Sequence, residues 1–339
     1  MKNPFVTNGY VSPEYFCDRE KETAKIVSLL TNENNIALIS PRRLGKTDLL
    51  RHCFGQPEIK EHYHTFIIDI YATSSVRDFV NVFGKAVLDE LRPKGKSVWG
   101  TFLNVLASLR SEITFDMNGQ PTWGIGLGAI TNPSATLDEI FSYLNNAGKP
   151  CLIAIDEFQQ ITKYADDPNI EAALRTHIQR CSNAHFVFSG SHRHLMGAMF
   201  TSPARPFYQS VTLINLPPIS VDKYAEFCLK HFERVSKHLD TLVVTELYER
   251  FNGITSYMQK VMNILFSMTG TGEICIPSMI DTAINDLLDF SADTYDALLY
   301  QMPEKQRIVF MAIAAEGKAK AISSGDFVRK YKLQSASSV

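Results

Sequence analysis

The sequence lacks paired cysteines, long apolar runs and an excess of either charge. Its six cysteines occur singly, with no C-x-x-C pair and no histidine at metal-ligand spacing. This pattern excludes a disulfide framework and predicts buried free thiols in a reducing compartment. No apolar run reaches the roughly 18 residues that cross a bilayer, and the N-terminus has no signal-peptide core. These absences predict a cytoplasmic protein with no membrane partner.

The charges are nearly balanced, with a formal net charge of −2. Composition therefore gives no electrostatic argument for binding nucleic acid or an anionic membrane. A chain of 339 residues is too long for a single hydrophobic core, so two or three domains are expected.

Short apolar runs alternate with helical patterns up to about residue 215. This alternation predicts a mostly parallel sheet covered on both faces by helices. Buried strands are predicted at residues 36–39, 66–70, 151–155, 185–189 and 211–214. Helices are predicted at residues 18–30, from 46 onward, and at 76–91, 103–110, 137–145 and 170–181, with an inserted hairpin near residues 111–128.

The pattern changes after Pro217-Pro218, where helical patterns follow one another without a strand. They are predicted at residues 221–235, 241–251, 256–266 and 277–288, with two further helices at 304–315 and 325–331. A separate helical domain is expected in this part of the chain.

Residues 40–47, here called the phosphate loop, read S-P-R-R-L-G-K-T and join a buried strand to a helix. At such a helix N-terminus the backbone N–H groups and the helix dipole attract phosphate. Gly45 lets the backbone approach closely, Lys46 reaches the terminal phosphates, and the Thr47 hydroxyl is a magnesium ligand. Ser40 replaces the first glycine of G-x-x-x-x-G-K-[ST], and its Cβ requires a negative φ.

Taken alone, G-K-T also fits an exposed turn that carries a lysine. Arg42 and Arg43 are expected to touch phosphate or a neighbouring subunit, with solvated loop charges as the alternative. The residues predicted to bind nucleotide in this segment are Ser40, Pro41, Arg42, Arg43, Leu44, Gly45, Lys46, Thr47 and Asp48.

The strongly apolar run 151–155 leads into two adjacent acids, Asp156 and Glu157. Parallel sheets bind ligands at the carboxyl ends of their strands, so these acids are expected beside the phosphate loop. Asp156 is then predicted to hold magnesium, and Glu157 to polarise the attacking water as general base. The alternative is a helix N-terminus capped by acids.

The two segments together resemble the Walker A and Walker B motifs of the additional-strand P-loop ATPases, in particular the AAA+/STAND branch. The stretch F-C-D-R-E-K-E at residues 16–22 resembles the box that precedes Walker A in STAND ATPases and origin-recognition initiators. In that box the arginine lies near the adenine, a role that the resemblance gives to Arg19. The stretch F-V-F-S-G-S at residues 186–191 resembles the sensor strand, whose terminal polar residue touches the γ-phosphate or the attacking water. Ser189 is the first choice for that residue and Ser191 the second.

Further stretches are similar to prokaryotic ATPases described as the archaeal-type ATPase family. They are N-P-F near the start, S-P-R-R-x-G-K-T, I-D-E-F-Q, S-G-S and R-P-F-Y. The resemblance implies an α/β fold, the αβα sandwich of P-loop NTPases. It predicts a nucleotide-binding domain over residues 1–215 and a helical lid over 216–290. A winged helix over 291–339 is expected to be cut short before its recognition helix is complete.

This sequence departs from the STAND pattern in its lid, where Gly253-Ile254-Thr255 replaces G-x-P. The response of the lid to nucleotide is therefore expected to differ. An arginine finger is also unassigned, with Arg175, Arg193 and Arg205 as candidates. An ordinary surface arginine is the alternative for each of them.

The resemblance implies that ATP binds with Mg²⁺ and is hydrolysed to ADP and phosphate, as a switch. The alternative is a nucleotide-dependent scaffold that binds DNA or a protein and hydrolyses ATP slowly or not at all. Glu157 favours the enzyme, whereas the altered lid motif favours the scaffold. Expected partners besides ATP and ADP are DNA, through the winged helix of the full-length protein, and a protein effector or a second copy of the chain.

Overall fold

The computed structural model of the protein describes residues 3–91, 113–115, 121–123, 133–317 and 319–333. The chain forms two compact units, Met1–Cys275 and Ile276–Val339. The helix expected at residues 103–110 lies outside the described residues. No helix in the part of the chain that the structure describes is long and apolar enough to cross a membrane.

The strands pair mainly in parallel, as predicted. The described strands are Ile36–Ile39 (β1), His64–Asp69 (β2), Ile113–Phe115 (β3), Pro121–Trp123 (β4), Cys151–Asp156 (β5), Ala184–Gly190 (β6), Thr212–Asn215 (β7), His238–Leu239 (β8) and Ile274–Cys275 (β9). Five of them form one parallel sheet in the order β2-β5-β6-β1-β7. β3 and β4 pair antiparallel within the region predicted as a hairpin.

The centre of the sheet joins the strands that carry the two predicted motifs. β6 lies between β1, which precedes the phosphate loop, and β5, which ends at Asp156. Every residue of β5 and β6 is buried, because neighbouring strands flank them and helices cover both faces. The register sets Ile39 beside Gly190 and Asp69 beside Asp156. The carboxyl ends of these strands therefore meet at one end of the sheet.

Both units contain helices. In the first unit they are Glu20–Thr31 (α1), Lys46–Phe54 (α2), Pro57–His62 (α3), Val76–Glu90 (α4), Pro133–Asn145 (α5), Ile170–Arg180 (α6), Arg193–Thr201 (α7), Val221–Glu233 (α8), Thr241–Phe251 (α9) and Thr255–Met268 (α10). In the second unit they are Ile280–Gln301 (α11), Glu304–Glu316 (α12) and Gly325–Lys330 (α13).

Two hydrophobic cores lie on the two faces of the sheet. Successive side chains of a strand point to opposite faces. In β1, Ile36 and Leu38 therefore enter the core that packs against α1, α2 and α3. Ala37 and Ile39 enter the core formed with α4, α5, α6 and α7. The centre of the sheet is thus covered on both faces, which explains why β1 and β5 are continuous apolar runs.

A cluster of aromatic rings anchors the chain directly after β5. Phe158 is fully buried, and its ring lies 4.4 Å from that of Phe188 and 5.4 Å from that of Phe207. Buried aromatic pairs of this kind add about 0.5–1.5 kcal/mol each beyond the burial of their area. The cluster therefore holds the backbone of Glu157, the preceding residue, in a defined place.

Some expectations about secondary structure are wrong. No strand is predicted after Pro217-Pro218, yet β8 and β9 form a parallel pair there. Each has two residues, which is too short to show a period-two pattern. α3 and α7 are not predicted either, since six and nine residues give few turns to establish a helical period. The domain boundaries predicted at residues 215 and 290 stay predictions. Helix α11 contains residue 290.

Candidate functional site

A cavity of about 490 Å³ lies at the carboxyl end of the sheet in the first unit. It is lined by the phosphate loop with the start of α2, by the N-terminal segment that precedes α1, and by the start of α10. Asp156 and Glu157 complete its wall. The two predicted motifs, which lie more than 100 residues apart in the sequence, therefore share one cavity.

Most residues predicted to bind nucleotide in the phosphate loop line this cavity, from Arg42 through Asp48. Ser40 and Pro41 are not in its wall and instead contact the Lys46 side chain. The Asp48 carboxyl lies in the first turn of α2, and burial raises its pKa. The part of the loop that faces the cavity is therefore residues 42–47.

Two residues in left-handed conformation shape the phosphate loop: Arg43 has φ 70° and Gly45 has φ 80°. No atom of the residues that the structure describes lies within 4 Å of the place where a Cβ of Gly45 would stand. The positive φ, and not crowding, is therefore what favours glycine there. Ser40 is absent from the residues with positive φ, as its Cβ predicts. Helix α2 begins at Lys46, so its unpaired N–H groups lie at the loop.

The Lys46 ammonium is held inside the phosphate loop. Its side chain is 7% exposed, and Nζ donates to the Ser40 carbonyl at 3.1 Å, to Ser40 Oγ at 3.3 Å and to the Pro41 carbonyl at 3.3 Å. Burial lowers the pKa of Lys46, and the charges of Asp156 and Glu157 oppose that effect. A buried cation with only neutral oxygen partners gains strongly from an added anion.

Thr47 and Asp156 are in direct contact. The Thr47 hydroxyl donates to Asp156 Oδ2 at 2.5 Å, and the Glu157 N–H donates to Asp156 Oδ1 at 3.0 Å. The Asp156 side chain is 6% exposed. A hydroxyl and a carboxylate side by side form the hard oxygen donor set that suits Mg²⁺. The two residues predicted as magnesium ligands are therefore adjacent.

Glu157 has a left-handed backbone, with φ 54° and ψ 39°. For a bulky residue this conformation costs about 1–2 kcal/mol, and such strain is concentrated at functional sites. The carboxylate is held on one side, because Gln159 Nε2 donates to Oε2 at 2.5 Å and Ser191 Oγ donates to the same atom at 2.8 Å. Arg42 Nε in turn donates to Ser191 Oγ at 3.4 Å, which links the phosphate loop to Glu157.

The two serines predicted for the sensor role have different surroundings. Ser189 is fully buried in β6, and its Oγ has no hydrogen-bond partner among the described residues. Ser191 follows Gly190, the last residue of β6, and reaches Glu157. The structure therefore brings the second choice, and not the first, into contact with the acids, because the chain leaves the strand direction between the two serines.

Arg19 lies in the cavity wall at the start of α1, with φ 77° and an exposure of 3%. Its guanidinium donates to Glu22 Oε1 at 3.0 Å and to the Pro217 carbonyl at 2.7 Å. Arg19 thereby ties the N-terminal segment to the chain that leads into α8. Beside it, Tyr10 and Phe16 also line the cavity.

The first turn of α10 contacts the phosphate loop. The Ser256 N–H donates to the Arg43 carbonyl at 3.2 Å. The Arg43 guanidinium lies over the Tyr257 ring, 4.9 Å from its centre, and donates to the Tyr257 hydroxyl. Arg42 lies over the Tyr71 ring at 5.5 Å. Both loop arginines are exposed, yet each contacts a tyrosine of this chain. Their contact with phosphate or a neighbouring subunit stays a prediction.

The three candidates for an arginine finger differ in their partners. Arg205 forms an ion pair with Glu171 of α6, which is buried. Burial raises the pKa of Glu171, and the Arg205 charge opposes that rise. Arg175 is half-buried, and Arg193 is exposed at the start of α7. An arginine that acts on a neighbouring subunit must be exposed, which among these three favours Arg193.

Two residues of the site were not predicted as functional: Gln159 and Tyr257. Gln159 ends the stretch I-D-E-F-Q, two residues after Glu157, and that position was the available signal. Tyr257 follows Gly253-Ile254-Thr255, but an isolated tyrosine in a helical pattern is usually a packing residue. Neither contact can be read from sequence spacing, because each depends on tertiary structure.

Comparison with known structures shows that this chain shares the fold of a Walker-type ATPase and of two ORC proteins. A Walker-type ATPase of Pyrococcus abyssi is 17% identical, with a TM-score of 0.60 over 97% of this chain and 87% of that chain. The ORC2 protein of Aeropyrum pernix, in ADPNP–ADP complexes, is 15% identical, with a TM-score of 0.59 over 97% and 82%. The ORC1 protein of the same organism, in complex with DNA, is 15% identical, with a TM-score of 0.54 over 94% and 78%.

Comparison with curated proteins finds no match. Two family models match the sequence. Residues 293–339 match a probable winged helix domain. Residues 16–261 match the ATPase domain found predominantly in Archaea, and this match covers the phosphate loop, both acids and the start of α10. The chain is therefore a nucleotide-binding P-loop ATPase that belongs to this predominantly archaeal ATPase family.

Proposed function

We propose that this ATPase binds ATP with magnesium and hydrolyses it to ADP and phosphate as a molecular switch. The observation that carries the proposal is the convergence of Lys46, Thr47, Asp156 and Glu157 on one cavity. Hydrolysis is expected to be slow without a partner. The six cysteines are all free and buried, which supports the expected cytoplasmic location.

The phosphate loop would bind the phosphates. The N–H groups at the start of α2 and the Lys46 ammonium supply positive charge to them. On binding, the phosphate oxygens take the place of the neutral loop oxygens that surround Nζ. Thr47 and Asp156 would hold magnesium, which neutralises phosphate charge when bound. Arg19, with the N-terminal segment, would close the nucleotide pocket near the adenine.

Glu157 would act as the general base. Its carboxylate lines the cavity and accepts a proton from the water that attacks the terminal phosphate. Ser191 is the proposed polar sensor, because its hydroxyl lies between Arg42 of the phosphate loop and Glu157. Ser189 stays the alternative predicted from the strand pattern.

The test is Glu157→Gln, which keeps the shape of the side chain and removes the charge. The variant should bind ATP with nearly wild-type affinity and lose turnover by about 10²-fold or more. Glu246→Gln is the matched control, since Glu246 pairs with Arg250 on the surface of α9. Wild-type turnover in Glu157→Gln would exclude Glu157 as the base.

A second candidate is a nucleotide-dependent scaffold that binds DNA. Two observations favour it: the match of residues 293–339 to a probable winged helix domain, and a similar fold in a protein described in complex with DNA. Fluorescence anisotropy with a labelled duplex at two salt concentrations tests it, because phosphate contacts weaken steeply with salt. Turnover with and without duplex then separates the candidates. Duplex binding without measurable turnover would favour the scaffold.

A further inference from the structure

We propose that Gln159 is a positioning residue that orients the Glu157 carboxylate for hydrolysis. The inference rests on the proposed role of Glu157 as general base. Gln159 lies two residues after Glu157, in the 3₁₀ turn Phe158–Lys163. Its Nε2 is 2.5 Å from Glu157 Oε2. A carboxylate only accepts hydrogen bonds, so the amide nitrogen must be the donor.

The two hydrogen bonds on Glu157 leave its other oxygen available. Gln159 and Ser191 both donate to Oε2. Within the described residues, no donor is within hydrogen-bond distance of Oε1. Two donors on one oxygen restrict the terminal rotation of the side chain, so Oε1 is the atom that accepts the proton from water. Preorganisation of this kind is what a general base requires.

Among the described residues, the Gln159 side-chain amide has no hydrogen-bond partner other than Glu157. The side chain is 3% exposed, and its Oε1 has no hydrogen-bond partner among the described residues. Burying an unpaired carbonyl oxygen is unfavourable, so an apolar side chain of similar size would suit the fold at least as well. A polar residue that costs stability beside a base is typical of a functional site.

The end of strand β6 leaves room for this amide. Gly190 ends β6, and a Cβ there would stand 2.5 Å from Gln159 Oε1. Its φ is not positive, so close approach, and not backbone conformation, requires glycine at this position. The end of β6 and the turn after Glu157 therefore meet at a glycine that allows Gln159 to lie beside Glu157.

The experiment is Gln159→Leu, which keeps the size of the side chain and removes the amide. The turnover number should fall by about 10-fold or more, the usual effect of losing one hydrogen bond to a charged group. KM and the dissociation constant for ATP should stay within about twofold, and the melting temperature should not fall. Gln160→Leu is the matched control, because the Gln160 amide donates to the Thr73 carbonyl and not to Glu157.

A double variant separates positioning from a structural role. In a Glu157→Gln background, Gln159→Leu should cause no further loss of turnover, since Gln159 acts through Glu157.

The outcomes distinguish a failure of the proposed role of Gln159 from a failure of the proposed ATPase function. Unchanged turnover in Gln159→Leu, with impaired turnover in Glu157→Gln, would overturn the role of Gln159 alone. A full further loss in the double variant would also overturn it and assign a structural effect. Wild-type turnover in Glu157→Gln would refute the proposed function itself.

Discussion

Gly190→Ala should destabilise the protein through a contact that the structure defines closely. The added Cβ would stand 2.5 Å from Gln159 Oε1 and 2.5 Å from both Cγ and Sδ of Met196. Met196 is fully buried and Gln159 almost so, so an added methyl group must displace side chains that are already packed. Overpacking of this kind costs about 1–3 kcal/mol of unfolding free energy.

Gly197→Ala provides a control with the same added methyl group. Gly197 lies inside α7, and its φ is not positive. Outside the backbone of its own helix, no described atom lies within 4 Å of an added Cβ. Alanine should therefore stabilise the helix by about 0.5–1 kcal/mol. The two substitutions should change stability in opposite directions.

Thermal unfolding followed by circular dichroism measures both effects. For a unit of this size, 1 kcal/mol corresponds to about 2–4 °C in melting temperature. Gly190→Ala should melt about 2–12 °C below wild type, and Gly197→Ala should melt slightly above it. An unchanged melting temperature in Gly190→Ala would show that Gln159 and Met196 do not approach Gly190 as closely as described.

Three further predictions concern the phosphate loop and its contacts. Lys46→Met should leave the circular dichroism spectrum unchanged and weaken ATP binding by about 2–5 kcal/mol, measured by calorimetry; unchanged affinity would refute the phosphate-loop assignment. Because the pKa of Lys46 is lowered below its ordinary 10.5, and phosphate favours the charged form, ATP affinity should fall as pH rises through that pKa. Calorimetry in two buffers of different ionisation enthalpy, repeated as the pH is raised towards 10.5, should then show proton uptake on binding, and its absence would contradict this reasoning. Tyr257→Ala removes the ring beneath Arg43 and should speed hydrogen exchange at the Ser256 amide, whereas unchanged exchange would show that the contact does not depend on that ring.

Patterns within short segments predicted much of the fold. β1 and β5 are continuous apolar runs because both faces of the sheet are covered, and such runs are visible in the sequence. The pair β8 and β9 was missed, because two-residue strands are defined by their partners and not by their own pattern. The limits of elements such as α11 depend on what packs against their ends.

The predicted sensor serine cannot be placed from the sequence pattern alone. The stretch S-G-S offers two serines, and the sequence alone favours Ser189 by resemblance. In the structure Ser189 is buried within β6, whereas Ser191 lies beside Glu157. Residues two apart in a strand point to the same face. The Ser189 and Ser191 side chains therefore have different surroundings because β6 ends at Gly190, before Ser191.

The sequence by itself determined which two motifs form the candidate site, because the strand–loop–helix around Lys46 and the apolar run that ends at Asp156 are local signals. The tertiary structure alone decided which side chains join them. Gln159, Ser191 and Arg42 form one hydrogen-bonded chain through Glu157, although they come from three separate segments. The physical reason is the order of the sheet, since β6 lies between β1 and β5 and brings its carboxyl end against both motifs.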